Sequence, residues 1–188
     1  MGIHAWRQTQ TMTVVENFAF EDFNLLYPRI NSRGDGDGIF RMEFPIMQWI
    51  FAGFYKAIGP HLVIARILSF LIYLASVFGL YRLVRAYDQT KQLSAFAAWC
   101  FAWSPVLFYY SVNPLPDNLA LSSAIWSMVF LKKHQTQGSF HSLLGFSFFL
   151  SLATAVKLPY IVFGAGYIPI FLEQLTSKNL KRSMISSI

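Results

Sequence analysis

The chain has 188 residues, of which 55% are hydrophobic, 18% aromatic and 13% charged, with a mean hydropathy of +0.43. A soluble domain carries about 25% charged residues, so the charge here is too sparse to cover a water-facing surface, and lipid is the simplest solvent for the rest. The net charge of +6 and pI near 9.6 do not point to nucleic acid, because the basic residues sit between apolar runs instead of along one stripe.

Six of the nine acidic residues fall in the polar stretch 1–44: Glu16, Glu21, Asp22, Asp35, Asp37 and Glu43. This stretch reads as an extracytoplasmic loop. Met12, Val15, Phe18 and Ala19 lie at roughly helical spacing within Thr11 to Phe23. It lacks the basic head and apolar core of a signal peptide. Asp35, Gly36, Asp37 and Gly38 form a solvated turn by composition. A calcium loop would place a carboxylate at its twelfth position, where Ile46 stands.

Residues 45–58 are apolar but short of the ~20 residues a spanning helix requires. With Trp49, Tyr55 and Lys56 among them, they read as a helix lying along the membrane surface. Trp6, Trp49 and Tyr55 are expected as interface anchors rather than sugar platforms. Gly59 and Pro60 reset the direction.

Residues 59–175 are expected to hold about five transmembrane helices: His61 to Leu83, Leu93 to Tyr110, Asp117 to Leu131, His141 to Val156, and Tyr160 to Leu172. Five crossings put Arg82, Arg85, Lys91, Lys132, Lys133, Lys178, Lys181 and Arg182 on one side. That side is cytoplasmic by the positive-inside rule, so the loop 1–44, Asp117 and Lys157 face outward. Residues 176–188 form a basic tail or the start of a further segment. The chain therefore reads as an all-α polytopic membrane protein, and its short basic loops suit a bacterial inner membrane.

Cys100 lies inside an apolar run and has no second cysteine to pair with. His4, His61, His134 and His141 are scattered without zinc-ligand spacing. The outer face collects Glu43, Asp117, His4, Arg7, Arg66 and Lys157. Asp117 suits a helix N-cap, a role compatible with binding a ligand. Arg66 and Lys157 each either snorkel to the headgroups or hold a lipid phosphate.

Several of these residues occur in an ordered pattern. His4, Trp6, Arg7, Gln8 and Thr11 are followed by Asn17-Phe18, Leu26-Tyr27-Pro28 and Glu43-Phe44-Pro45-Ile46. Gly59, Ala65-Arg66, Ser104-Pro105 and Pro114, Pro116, Asp117 continue it. From His4 to about Pro159 the chain resembles polytopic GT-C glycosyltransferases, in particular the bacterial group related to protein O-mannosyltransferases and lipid A aminoarabinose transferases. The resemblance implies a sugar transferred from a polyprenyl-phosphate-linked donor to an acceptor protein or glycolipid outside the cytoplasm. It implies catalytic roles for Glu43 and Asp117, with the base either Glu43, ranked first, or His4, which stands where many members carry an acidic residue. It implies substrate-binding roles for Arg7, Gln8, Arg66 and Lys157. No cofactor is legible, although a divalent metal could assist the departing phosphate. The resemblance also implies a piece of a larger protein with more helices. Two readings compete with a transferase: a transporter or lipid flippase, and an inactive remnant or accessory membrane subunit. Acidic residues gathered at one face, rather than at mid-depth, favour the enzyme over the transporter.

Overall fold

The longest helix of this protein is inside-out relative to a soluble bundle. In the computed structural model, which describes residues 5–31, 36–39, 43–87, 90–169 and 171–172, helix α3 (Leu62–Tyr87) buries Ala65, Ser69, Tyr73, Ser76 and Gly79. It exposes Val63, Ile67, Phe70, Leu71, Leu74 and Phe78. Small and hydroxylated residues inside, with large apolar ones outside, are what helices packed in lipid require, because close backbone approach replaces the hydrophobic driving force. Among the described residues α3 is the one helix both long and apolar enough to cross a membrane.

The described residues are helical apart from loops and an isolated antiparallel bridge between Arg29 and Ile39. Before α3 come α1 (Ala5–Phe20) and α2 (Ile46–Ile58). After it come α4 (Lys91–Ala102), α5 (Pro105–Tyr110), α6 (Pro116–Gln137), α7 (Phe140–Val156) and a 3-10 segment, Leu158–Tyr167. His4, Asp35 and the basic stretch 176–188 lie outside the described residues.

Two expected spans differ from the structure. The stretch 93–110 is two helices, broken at Trp103 and Ser104. Pro105 has no N–H to continue the ladder, and α5 starts afresh from Ser104, whose carbonyl accepts from the Phe108 N–H at 2.8 Å. The break leaves the Ala102 carbonyl without its helical donor, and the Tyr73 hydroxyl of α3 donates to it instead. The stretch after Val156 winds as a 3-10 segment from Leu158, with Pro159 again removing a donor. The first helix also starts earlier than expected, at Ala5.

Helix α6 is the centre of the bundle, packed against α3 on one side and α7 on the other. Its buried Ala120, Ser123, Ala124 and Ser127 repeat at helical spacing. The Trp126 indole donates to the Ala75 carbonyl at 3.1 Å, binding α6 to α3. Its C-terminus closes on Gly138, whose φ of 61° places it in the left-handed region that glycine adopts freely. At 22 residues, α6 is about 33 Å long, close to the ~30 Å of a bilayer's hydrocarbon core.

The α6–α7 contact is tightest at Gly145. A Cβ there would come within 2.6 Å of the Phe130 ring, and the ring is hemmed in by Phe149 and Trp126. Gly145→Ala is therefore expected to cost about 1–3 kcal/mol through overpacking. Thermal unfolding in detergent should show a lowered midpoint. An unchanged midpoint would mean that the two helices sit further apart.

Helices α1 and α2 form a separate layer across one end of the bundle. Val14, Val15, Phe18 and Ala19 of α1 pack on Met47, Phe51, Ala52 and Tyr55 of α2, and the cluster reaches Ala65 at the start of α3. Tyr55 is 2% exposed, so it is a core residue and not the expected interface anchor. Burial, and then the nearby Glu16 carboxylate, push its hydroxyl above the ordinary tyrosine range. The opposite face of α2 exposes Ile50, Phe54 and Ile58, which suits a helix resting on lipid.

Candidate transfer site

Four helix ends converge where the α1–α2 layer meets the bundle. Residue 7 lies in the first turns of α1, residue 43 just before α2, residue 117 in the first turn of α6, and residue 157 just after α7. The segment at 43–45 is tied to the bundle by the Phe44 N–H, which donates to the Ala155 carbonyl at 3.3 Å. The other side is held by Asn118, whose amide donates to the Tyr110 and Asn113 carbonyls at 2.9 and 3.0 Å. That clamp fixes the loop ahead of Pro116, and so fixes the direction of Asp117.

The four side chains make a ring of alternating charge. Arg7 Nη2 and Lys157 Nζ both donate to Glu43 Oε1. Arg7 Nη2 also lies 3.4 Å from Asp117 Oδ2, and Lys157 Nζ lies 3.5 Å from Asp117 Oδ1. The two carboxylates are not equivalent. Glu43 is 16% exposed and holds both cations through one oxygen, whereas Asp117 is 46% exposed and its Oδ2 accepts no hydrogen bond. Helix α6 is capped at Leu115 with no side-chain bond, so Asp117 is not the N-cap expected from its position. It stands in the first turn of α6, beside both cations.

Two cavities meet at this ring. One, of about 250 Å³, lies under α1 and is lined by Trp6, Gln10, Thr11 and Gln48, with Arg7, Glu43 and Lys157 at its edge. The other, of about 1000 Å³, is apolar: Leu25, Leu26, Phe44, Val156, Leu158 and Pro159 line it. Pro28, Glu43, Pro45 and Lys157 belong to both. Asp117 lines neither.

Two expected binding residues stand apart. Gln8 is one residue on from Arg7, which turns it by about 100° around α1; Arg7, Gln10, Thr11 and Val14 face the cavity and Gln8 does not. Arg66 follows the fully buried Ala65 and is turned outward in the same way. It is exposed, with no ion pair among the described residues. Gln10 and Gln48 escaped the sequence reading. The signal for Gln48 was its register, since it shares the buried face of α2 with Ala52 and Tyr55. Among the described residues no three His, Cys, Asp or Glu side chains gather as a metal group. The space between the two carboxylates is filled by Arg7 and Lys157, so this donor set does not fit a divalent cation.

A family model for dolichyl-phosphate-mannose-protein mannosyltransferase matches residues 43–187. The chain belongs to this mannosyltransferase family. No curated protein and no solved structure matches it. The expected kinship with GT-C mannosyltransferases is thereby borne out. Within the mannosyltransferase match lie three members of the charged ring, Glu43, Asp117 and Lys157, together with most of the apolar cavity. Arg7 and the helix that carries it precede the match.

Proposed function

We propose that this chain carries the transfer site of a multi-pass membrane glycosyltransferase. It moves a hexose from a polyprenyl-phosphate-linked donor to an acceptor on the extracytoplasmic side. The family name, dolichyl-phosphate-mannose-protein mannosyltransferase, supports mannose on a polyprenyl phosphate as the donor and a protein as the acceptor. The supporting observation is the position of two cations and two carboxylates at the mouth of an apolar cavity. A lipid chain suits the apolar cavity and its phosphate suits Lys157 and Arg7. Membrane crossing is supported by the length and hydropathy of α3, by the large apolar side chains exposed on α3, α4, α5, α7 and the segment from 158, and by the length of α6. Arg82, Arg85, Lys91, Lys132 and Lys133 gather at the end of the bundle away from the ring, which supports an outward-facing site. A bacterial inner membrane suits this arrangement.

The chemistry follows from the charges. The acceptor oxygen gives its proton to Asp117 and attacks the anomeric carbon. The carbon–oxygen bond to the phosphate breaks, and the polyprenyl phosphate leaves with the electron pair. Before the step the ring is neutral: two cations against two carboxylates. Once Asp117 holds the proton, Arg7 and Lys157 face only Glu43, so one unit of positive charge is released as the phosphate gains one negative charge. Stabilisation thus grows along the reaction instead of being spent on the bound donor. Glu43 keeps the two cations in place throughout. This scheme needs no metal step.

The lipid assignment is tested by photo-cross-linking the full-length protein with a diazirine-bearing polyprenyl phosphate. Label is expected on residues 154–159 and 25–28. Label confined to the outer surface of α3, around Ile67 and Leu71, would overturn the assignment.

A further inference from the structure

Gln48, which lines the smaller cavity, carries a buried polar atom with nothing to bond. Gln48 is 7% exposed, and its side-chain carbonyl oxygen has no hydrogen-bond partner. Leaving such an acceptor unsatisfied costs about 1–3 kcal/mol, and the cavity it lines is otherwise built for a small polar ring. Trp6 contributes an aromatic surface, 61% exposed, while Gln10 and Thr11 contribute polar side chains from α1. Gln48 sits on α2, whose Met47, Phe51, Ala52 and Tyr55 are locked against α1, so its position is fixed by packing.

We propose that Gln48 reads a hydroxyl of the transferred sugar, which occupies this cavity. The inference rests on the function proposed above and divides the site further. A sugar joined to a phosphate at Lys157 is one bond from that phosphate, so its ring must lie beside the charged ring. The apolar cavity adds one polar side chain, Thr154 with its unpartnered hydroxyl, to the shared Glu43 and Lys157. The cavity under α1 offers Gln10, Thr11 and Gln48, and shares Glu43 and Lys157 with the lipid side. Asp117 lies outside both cavities, which leaves a separate approach for the acceptor. A sugar hydroxyl donating to the Gln48 carbonyl oxygen satisfies the one orphan acceptor of the cavity, and a hexose lacking that hydroxyl leaves it unpaired. Discrimination of this kind is strong because the penalty falls on the wrong substrate.

The test uses equilibrium binding to the full-length protein, followed by intrinsic tryptophan fluorescence. Two probes are compared: mannosyl-phospho-polyprenol and bare polyprenyl phosphate. The wild-type protein is expected to bind the sugar-bearing lipid roughly tenfold more tightly than the bare one. Gln48→Met keeps the side-chain volume and removes the acceptor; it is expected to abolish that ratio while leaving the affinity for bare polyprenyl phosphate unchanged. The bare lipid thus reports folding and the lipid site in the same experiment. A ratio unchanged in Gln48→Met, or no sugar preference in the wild type, overturns the role of Gln48. Failure of the wild type to bind bare polyprenyl phosphate overturns the lipid-donor reading and this inference with it. A Gln48→Met protein that fails to bind the bare lipid contradicts a role confined to the sugar.

Discussion

Asp117→Asn is expected to lower the rate of sugar transfer by roughly 10²–10⁴-fold, the range lost when a positioned general base is removed. The amide keeps the shape of the side chain and cannot take a proton. The fold should tolerate the change, because Asp117 makes no cap bond in α6, and its loop is held by Asn118. Binding of polyprenyl phosphate should survive, since Glu43 still positions Arg7 and Lys157. The measurement is a comparison of kcat and donor KM in membranes containing equal amounts of inserted protein. A fall carried by kcat supports the assignment, and normal turnover removes it.

Glu43→Gln is expected to behave differently, and the contrast is informative. Glu43 is the more enclosed carboxylate, and its Oε1 receives both cations. Removing its charge leaves Arg7 and Lys157 side by side with Asp117 alone between them. Partly buried ion pairs broken at one partner are costly, and with the remaining exposure a loss of about 1–3 kcal/mol in stability is expected. Transfer should fall by at least roughly tenfold, because the cations that meet the departing phosphate are no longer held in place. The ring also moves from neutral to a net positive charge. Bare polyprenyl phosphate is therefore expected to bind more tightly while transfer slows, so that the lipid product becomes a stronger inhibitor. Titration of inhibition by polyprenyl phosphate in wild type and variant measures this directly. A variant that is both stable and equally inhibited would show that Glu43 does not anchor the cations.

Composition pointed to lipid as the solvent and the long apolar runs to an all-α chain; α2, α3 and α7 appear within a few residues of their expected bounds, and α6 runs on to Gln137, past its expected end at Leu131. The signals there were long apolar runs ended by Gly59-Pro60, Lys132-Lys133-His134 and Lys157-Leu158-Pro159. Expectation failed where one residue outweighed a run. Pro105 splits an apolar stretch whose hydropathy is continuous, and Pro159 turns the next stretch into a 3-10 segment. Neither effect is visible to a count of apolar residues.

The site was legible as a set of residues and not as a geometry. The positive-inside rule put Glu43, Asp117, Lys157 and Arg7 on one face, and the structure brings those four together. It could not foresee that the cations pair with the carboxylates, since Glu43 and Lys157 are 114 positions apart in the chain. Gln8 was grouped with them beside Arg7 in the ordered pattern, and Arg66 as a charge near the outer end of its span. A helix turns each residue about 100° from the last, which separates sequence neighbours as effectively as it unites residues four apart. Gln48 was overlooked for the converse reason. It reads as a polar interruption in a surface helix until Ala52 and Tyr55 show that its face is buried.

The most direct test of the whole account is a donor comparison with the full-length protein in its native membranes. Tritiated mannose is supplied either on dolichyl phosphate or on a guanosine nucleotide, with lipid-linked donor synthesis blocked, and label in membrane protein is counted for wild type and Asp117→Asn. The account predicts label from the lipid donor only, lost in Asp117→Asn at equal insertion. Equal labelling from the nucleotide donor, or labelling from the lipid that Asp117→Asn leaves intact, would contradict it.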